Sequence, residues 1–405
     1  MTLRVSHGLA LGSFVLGTVL ACGSTESVFD DPNGSSGGDG TSSSGGFGDA
    51  GSSGSSGSSG NPDLAACATD KQQAKLAPLD LLVMQDTSGS MFGITSGVTT
   101  KWDSVKQAMA SFMSDPSSAG IGIGIQFFPQ FADGVPNSCL ADGECGAGRR
   151  CITKVCSNTA NKPCWGDGDC TGNGTCVAAQ RCSLIGDIIC RPGIACQLNA
   201  GGGQIVNGGT CSSPLVRGIC ENQAVSCTAG DYGALVAPIA PLPASAAGVN
   251  AAFAARIPNG QTPTLSALTG AIDAARAHAN ANPGRVVSVI LSTDGLPFTG
   301  SPPACDDAVA SIAAAAAAGV NGTPSIKTFV IGVFAPSEAA SATPTLNQIA
   351  AAGGTGTATI LGTSATTVQD FIAALQKIRG ASLPCELALP VPASGTPDYA
   401  KVNVL

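Results

Sequence analysis

Short apolar runs alternate with amphipathic stretches along the chain from residue 79 onward. Residues 79–84 form the first apolar run, which ends at Asp86 and is typical of a buried parallel strand. Residues 101–113 follow with apolar side chains at helical spacing. Further strand-like runs lie at 121–128, 235–239, 286–291, 326–334 and 358–361, separated by helical stretches at 263–279, 305–319 and 366–379. This alternation predicts an α/β fold, a doubly wound and mostly parallel sheet with helices on both faces.

The pattern breaks between residues 138 and 228, where Cys, Gly, Asn and Asp replace the apolar runs. This segment holds 13 of the 17 cysteines and contains a repeat with a shift of 25 residues. The repeated positions are Cys139, Asp142, Gly143, Cys145 and Cys151, which recur as Cys164, Asp167, Gly168, Cys170 and Cys176. A segment so poor in large apolar residues must be held by crosslinks, so we predict a disulfide-rich insertion in the sheet domain.

The cysteine count indicates an oxidising compartment. The chain has only two histidines and no C-x-x-C spacing, so zinc sites do not explain 17 cysteines. Setting aside Cys22 leaves 16, an even number that can pair fully. Because the insertion holds an odd number, one of its cysteines must pair outside it, with Cys67, Cys305 or Cys385, or else stay free.

The N-terminus predicts a secreted lipoprotein. Residues 1–21 form a signal peptide in which Arg4 precedes an apolar run, Leu9 to Ala21, that is too short to span a membrane. The sequence Val-Leu-Ala-Cys that ends at Cys22 resembles a bacterial lipobox, which implies a lipid on Cys22; the alternative is an ordinary signal peptide with an incidental cysteine. Gly23 follows, where Asp would suggest inner-membrane retention, so we expect the outer membrane of a Gram-negative bacterium. Residues 22–66 are a Ser/Gly-rich tether with a reach of roughly 35 Å.

The charge balance narrows the possible partners. Charged residues make up 11% of the chain, with 27 acidic against 19 basic residues, and the sequence pI is about 4.7. Nucleic acid is therefore not expected as a partner, because its phosphates require clustered Lys and Arg. No basic run marks an anionic membrane as the main partner, so membrane contact is expected through the lipid alone.

Three polar motifs follow strand-like runs or precede a helix, where ligands collect in an open parallel sheet. The motifs are Asp86-Thr87-Ser88-Gly89-Ser90, Gly260-Gln261-Thr262-Pro263-Thr264 and Ser292-Thr293-Asp294-Gly295. Hydroxyl and carboxylate oxygens are the ligands that Mg²⁺ prefers. Any one motif alone could merely form a turn or cap a helix. The three in this order favour a shared metal site.

Together these motifs resemble the metal-ion-dependent adhesion site of the von Willebrand factor A (vWA) family, whose fold is Rossmann-like. The resemblance implies that Ser88, Ser90 and Thr262 bind Mg²⁺ directly, with Mn²⁺ or Ca²⁺ as alternative ions, and that Asp86 and Asp294 act directly or through water. It further implies a protein ligand that offers an Asp or Glu carboxylate. Thr264 is the alternative to Thr262. The vWA-like domain would span residues 75–384, interrupted by the insertion at 138–228 and followed by a tail at 385–405.

Other candidate sites are weaker. Four insertion carboxylates could hold Ca²⁺, although solvated turns are the favoured interpretation; they are Asp142, Glu144, Asp167 and Asp169. Trp165 could contact a partner or cover a disulfide. Signal cleavage leaves His278 as the only imidazole, expected to face solvent, so histidine-dependent catalysis lacks its parts and we predict that the chain is not an enzyme. The alternative function is a scaffold lipoprotein whose insertion makes the contacts without metal.

Overall fold

A six-stranded sheet forms the centre of the molecule. The computed structural model describes residues 78–184, 189–199, 205–301 and 303–382; Cys22, the signal peptide, the tether and the tail at 385–405 lie outside the described residues. Along the chain the strands of this sheet are β1 Leu79–Asp86, β2 Gly122–Phe128, β3 Ala237–Pro241, β4 Val286–Thr293, β5 Lys327–Phe334 and β6 Thr359–Gly362. In spatial order the strands are β3, β2, β1, β4, β5 and β6.

Five of these strands are parallel, and only the edge strand β3 runs antiparallel to its neighbour β2. The mostly parallel α/β sheet expected from the sequence is therefore confirmed. Gly124 allows β3 to approach β2 closely, because a Cβ at this position would lie 2.5 Å from the Ile239 side chain. The edge strand thus depends on a residue without a side chain.

Helices cover both faces of the sheet, and alternate residues of β1 point to each face. The helices are α1 Lys101–Ser114, α2 Ala246–Ala255, α3 Thr264–Ala281, α4 Val309–Val320, α5 Pro336–Ala352 and α6 Thr367–Ser382. Leu81 and Val83 pack with α1, α2 and α6, whereas Leu82 and Met84 pack with α3, α4 and α5. No helix among the described residues is long and apolar enough to cross a membrane.

The helices differ from the sequence prediction in three places. The pattern did not predict α2 or α5, and α5 contains Pro344, a residue that normally breaks a helix. The stretch predicted from residue 305 becomes helical only at Val309. The preceding carboxylates close a loop instead: Asp306 accepts from the amide of Ala308, and Asp307 accepts from the backbone and hydroxyl of Thr299.

The insertion between β2 and β3 consists of short strands and disulfides. Its strands are Cys151–Ile152, Lys154–Cys156, Thr159–Pro163, Cys176–Ala178, Gln180–Cys182, Ile189–Cys190, Ala195–Asn199, Ile205–Pro214 and Ile219–Cys220. Six disulfides lie within it: Cys139–Cys151, Cys145–Cys220, Cys156–Cys170, Cys164–Cys176, Cys182–Cys196 and Cys190–Cys211. A seventh, Cys227–Cys305, joins the insertion to the sheet domain and confirms that one of its cysteines pairs outside.

Two apolar clusters join the insertion to the sheet domain near the carboxyl ends of the strands. Phe131, which follows β2, clusters with the first repeat and its cysteines. Ile94 clusters with the cysteines of the last two bridges inside the insertion. Ile94 belongs to the small hairpin Ile94–Ser96 and Thr99–Thr100 that precedes α1. The insertion therefore borders the same edge of the sheet as the three polar motifs.

Candidate metal centre

The loop after β1 carries the first motif. Asp86 is fully buried, Ser88 is nearly so, and Ser90 is exposed. The backbone N–H of Ser88 donates to Asp86 Oδ1 over 2.7 Å. The motif therefore runs from a buried carboxylate at the strand end to a hydroxyl at the surface, which leaves an ion bound there open to solvent on one side.

The loop after β4 joins the first motif through side chains. Ser90 Oγ donates to Asp294 Oδ1 over 2.8 Å and lies 2.9 Å from Ser88 Oγ. Thr293 Oγ1 donates to Asp86 Oδ2 over 2.6 Å, so both oxygens of Asp86 are oriented by neighbours. Four of the five predicted site residues thus form one connected group.

The loop before α3 brings in the fifth residue, Thr262. A Cβ at Gly295 would lie 3.4 Å from Thr262 Oγ1 and 3.6 Å from Ser90 Oγ, so both hydroxyls face the same small space. Backbone bonds hold this loop against the first motif, with the N–H of Gly89 donating to the carbonyl of Gly260 over 3.1 Å. By contrast, the hydroxyl of Thr264 donates to the carbonyl of Thr262. Thr262, the preferred match, is therefore the one beside Ser90.

Burial shapes the electrostatics of the two carboxylates. Desolvation raises the pKa of Asp86 to about 7, and the negative charge of Asp294 adds to the increase, while hydrogen bonds from Thr293 and Ser88 oppose it. Burial also raises the pKa of Asp294, against the positive charge of Lys101 and a hydrogen bond from Ser90. Because both carboxyl groups are buried close to each other, ionising both is unfavourable. A nearby cation favours their ionised forms.

Sequence reasoning missed Lys101, the first residue of α1. Its ammonium Nζ lies 3.1 Å from Asp294 Oδ2 and 3.2 Å from Glu338 Oε2, and the side chain is buried. The helical pattern gave no signal for it, because a lysine in the first turn of an amphipathic helix ordinarily faces solvent. Its partners are 193 and 237 residues away, so only the tertiary fold shows the contact.

The sequence pattern also gave no signal for Arg256, which holds the loop of the first motif through Thr87. This buried side chain donates from Nε to Thr87 Oγ1 over 3.1 Å and from Nη2 to the carbonyl of Pro129. Its guanidinium lies 5.4 Å from the centre of the Phe127 ring. It therefore ties the metal-site loop to the end of β2, although it reaches no candidate ligand itself.

The donor set fits a hard dication. The five candidate ligands supply only carboxylate and hydroxyl oxygens, with no nitrogen or sulfur among them, which suits Mg²⁺. Three of the five are neutral hydroxyls, so a bound ion would keep much of its positive charge. The groups of cysteines that lie close enough to share a metal are paired in disulfides instead.

The four insertion carboxylates accept backbone hydrogen bonds within their own turns. Asp142 Oδ1 accepts from the amide of Cys151 and Asp167 Oδ1 from that of Cys176, each over 2.8 Å, so the repeat preserves the bond. In the same way Glu144 accepts from the amide of Leu140 and Asp169 from that of Trp165. Trp165 is partly covered by the guanidinium of Arg150, 3.8 Å from the centre of its ring.

The expectation that His278 faces solvent is wrong. Its Nε2 lies 2.8 Å from Asp80 Oδ2, and Arg285 binds both oxygens of the same carboxylate. Asp80 stands at the start of β1, the opposite end of the strand from Asp86. Gly122 on the neighbouring strand leaves space for this buried carboxylate, because a Cβ there would collide with Asp80 Oδ1. The histidine therefore belongs to an ion-paired cluster away from the candidate metal site.

Comparison with known proteins assigns the chain to no family. No protein family and no curated protein matches the sequence. Among solved structures it is similar to the minor pilin PilB from Streptococcus sanguinis, at 11% identity and a TM-score of 0.37, over 77% of this chain and 62% of the pilin. It is also similar to the pilus adhesin SpaC from Lactobacillus rhamnosus GG, at 12% identity and a TM-score of 0.36, over 76% of this chain and 31% of the adhesin. A third similar structure is manganese-loaded TRAP protein from Plasmodium vivax, at 13% identity and a TM-score of 0.25, over 64% of this chain and 59% of TRAP. The chain spans less than two thirds of each of these proteins, and likenesses this low define no family.

Proposed function

We propose that the chain is a vWA-type binding module that captures a protein carboxylate through a divalent cation. One observation carries the proposal: two buried carboxylates and three hydroxyls, from three separate loops, meet at the carboxyl edge of a parallel sheet. A turn or a helix cap would account for one of these loops but not for their convergence.

The site residues would have different roles in binding the ion and the partner. Asp86 is held by Ser88 and Thr293 at the bottom of the site, and Ser90 stands at its open side. Mg²⁺ bound by these oxygens would supply an electron-poor position for a carboxylate from the partner. Leu296 and Phe298, both exposed, follow the Asp294 loop and give the partner an apolar surface beside that position. We therefore expect a partner Asp or Glu flanked by apolar side chains.

The proposed location is the cell surface of a Gram-negative bacterium, with a lipid on Cys22 in the outer membrane. Seven disulfides in the described part of the chain support an oxidising compartment. The Ser/Gly-rich tether would then present the domain above the lipid. We also propose that the chain is a binding protein rather than an enzyme, since the side chains that converge at the carboxyl edge of the sheet are oxygen donors for an ion, and His278 lies with Asp80 at the opposite end of β1.

A groove in the insertion supports the second candidate, a scaffold that binds without metal. Leu140 and Val216 line it and are 59% and 61% exposed, a large fraction for apolar side chains. Under this alternative the insertion would make the contacts and the sheet domain would only carry it. Binding would then be unaffected by removal of dications.

Calorimetric titration of the purified full-length chain with Mg²⁺ and Mn²⁺ tests the proposal. We expect a single dication site, weakened at least about tenfold in Asp86→Asn. This substitution keeps the side-chain shape and one of the two acceptor oxygens, so the loop should stay folded. Asp167→Asn is the matched control, because it makes the same change in the insertion and should leave the affinity unaltered. Absence of dication uptake by the native chain would overturn the proposal in favour of the scaffold.

A further inference from the structure

The buried ammonium of Lys101 stands inside the candidate metal centre. Its side chain is only 5% exposed, and Nζ contacts Asp294 Oδ2 at 3.1 Å, on the same carboxylate whose other oxygen receives Ser90. A second carboxylate, Glu338, lies 3.2 Å from the ammonium on its outer side. The positive charge is therefore placed between a candidate ligand and the surface.

The fold builds a specific position for this side chain. The backbone N–H of Lys101 donates to the carbonyl of Gly93 over 2.7 Å. A Cβ at Gly93 would lie 3.1 Å from Lys101 Cε, so the glycine leaves space for the lysine stem beside the first motif. The ammonium also lies 5.8 Å from the centre of the Phe334 ring. Lys101 thus has contacts along its whole length, unlike a surface lysine that happens to reach a carboxylate.

We propose that Lys101 is a built-in competing cation that lowers the affinity of the site for Mg²⁺. The inference rests on the proposed function, because it concerns the same ligands. Asp86 and Asp294 balance one dication, and Glu338 offsets the ammonium only in part because its exposed carboxylate is screened by solvent. The buried ammonium therefore repels an ion bound beside it. It also shares Asp294, so an incoming ion must either displace it or accept a carboxylate with one oxygen already engaged.

The consequence is a site that fills only at higher dication concentration than its oxygen ligands alone would require. Removing the ammonium while keeping the stem should tighten Mg²⁺ binding by roughly tenfold or more, because a positive charge within a few ångströms of the ion would be lost. Without dication the same change should destabilise the fold, since Asp294 would then be buried with no cation beside it.

Titration of the full-length chain with Mg²⁺ by calorimetry, combined with thermal unfolding in chelator and in Mg²⁺, tests the inference. The variants are Lys101→Met, which keeps the stem, and Lys101→Gln, which keeps a hydrogen-bond donor and serves if Lys101→Met does not fold. Lys106→Met is the matched control: it makes the same charge change on the same helix, where the lysine pairs with Asp103 instead. We expect tighter Mg²⁺ binding and a lower melting temperature in chelator for the Lys101 variants, and a change of less than about twofold for the control.

Each outcome separates the two proposals. If the native chain binds Mg²⁺ and the Lys101 variants bind it no more tightly, the lysine is only a structural partner of Asp294 and the inference is wrong, while the binding function stands. If only the variants bind Mg²⁺, the inference holds and the ammonium replaces the ion in the native chain, so the proposed function fails. If neither binds Mg²⁺, both are wrong.

Discussion

The sheet domain and the insertion are stabilised in opposite ways. The sheet buries apolar side chains on both faces, with β1 contributing to each layer. In the insertion the buried clusters consist mainly of cysteines, joined by few apolar residues such as Ile94 and Phe131 from the sheet domain. A region without enough apolar surface can still hold a fixed shape when crosslinks restrict its unfolded state.

The same contrast governs the polar side chains. In the sheet domain Asp86 and Asp294 are buried at strand ends, and their hydrogen-bond partners include hydroxyls and an ammonium from other elements. In the insertion Asp142 and Asp167 each receive the amide of a disulfide-bonded cysteine. The sheet domain therefore holds its buried carboxylates with side chains from distant parts of the chain, whereas the insertion uses its carboxylates within its own turns.

Reduction should separate the two regions most strongly. Each disulfide contributes about 2–5 kcal/mol in small domains, so losing the six bridges inside the insertion should unfold it, while β1 and β4 keep their apolar core. Hydrogen exchange after reduction and alkylation should show lost protection in residues 139–227 alone. As a control, the unfolded but unreduced chain should expose no free thiol. Loss of protection in β1 together with the insertion would show that the two regions unfold as one unit.

A matched pair of core substitutions should give the next largest difference. Val83 in β1 and Val155 in the insertion are both buried, but Val83 lies in the large apolar layer, whereas Val155 lies in the short strand Lys154–Cys156, which pairs with two other short strands. Val83→Ala should cost about 2–3 kcal/mol of unfolding free energy and Val155→Ala about 1 kcal/mol, because the cavity term depends on surrounding apolar packing. Urea unfolding of the oxidised chain measures both. Equal costs would mean that the insertion has an apolar core of its own.

The apolar pattern predicted the sheet because its strands are continuous runs that end at polar motifs. The proximity of Asp86 and Asp294 is predicted by this pattern, because the carboxyl ends of parallel strands meet at one edge of the sheet. The pattern failed at α5, where Pro344 obscured a helix that Leu346 and Ile349 hold against the sheet. Tertiary packing there outweighs the cost of the proline.

Contacts between distant residues could not be predicted from local pattern. The pattern predicts Lys101 only as the start of a helix, and it predicts no element around Arg256. The fold brings these two side chains to Asp294 and Thr87. Disulfide pairing is similar: the repeat makes Cys139–Cys151 and Cys164–Cys176 equivalent, yet Cys145 pairs with Cys220 whereas Cys170 pairs with Cys156. Sequence spacing alone does not determine connectivity.

The smallest expected effect concerns the repeated aspartates and tests whether they close turns or bind Ca²⁺. Asp142 accepts the amide of Cys151 in a partly buried position, whereas the equivalent bond from Cys176 to Asp167 is exposed. Asp142→Ala should therefore lower the unfolding free energy by about 1 kcal/mol and Asp167→Ala by less, because an exposed donor can bond to water instead. Asp142→Asn should recover most of the loss, since its amide oxygen still accepts the bond. Urea unfolding with and without Ca²⁺ distinguishes the two roles: a Ca²⁺-dependent stability that Asp142→Asn removes would make the carboxylate a metal ligand, because only that role requires its charge.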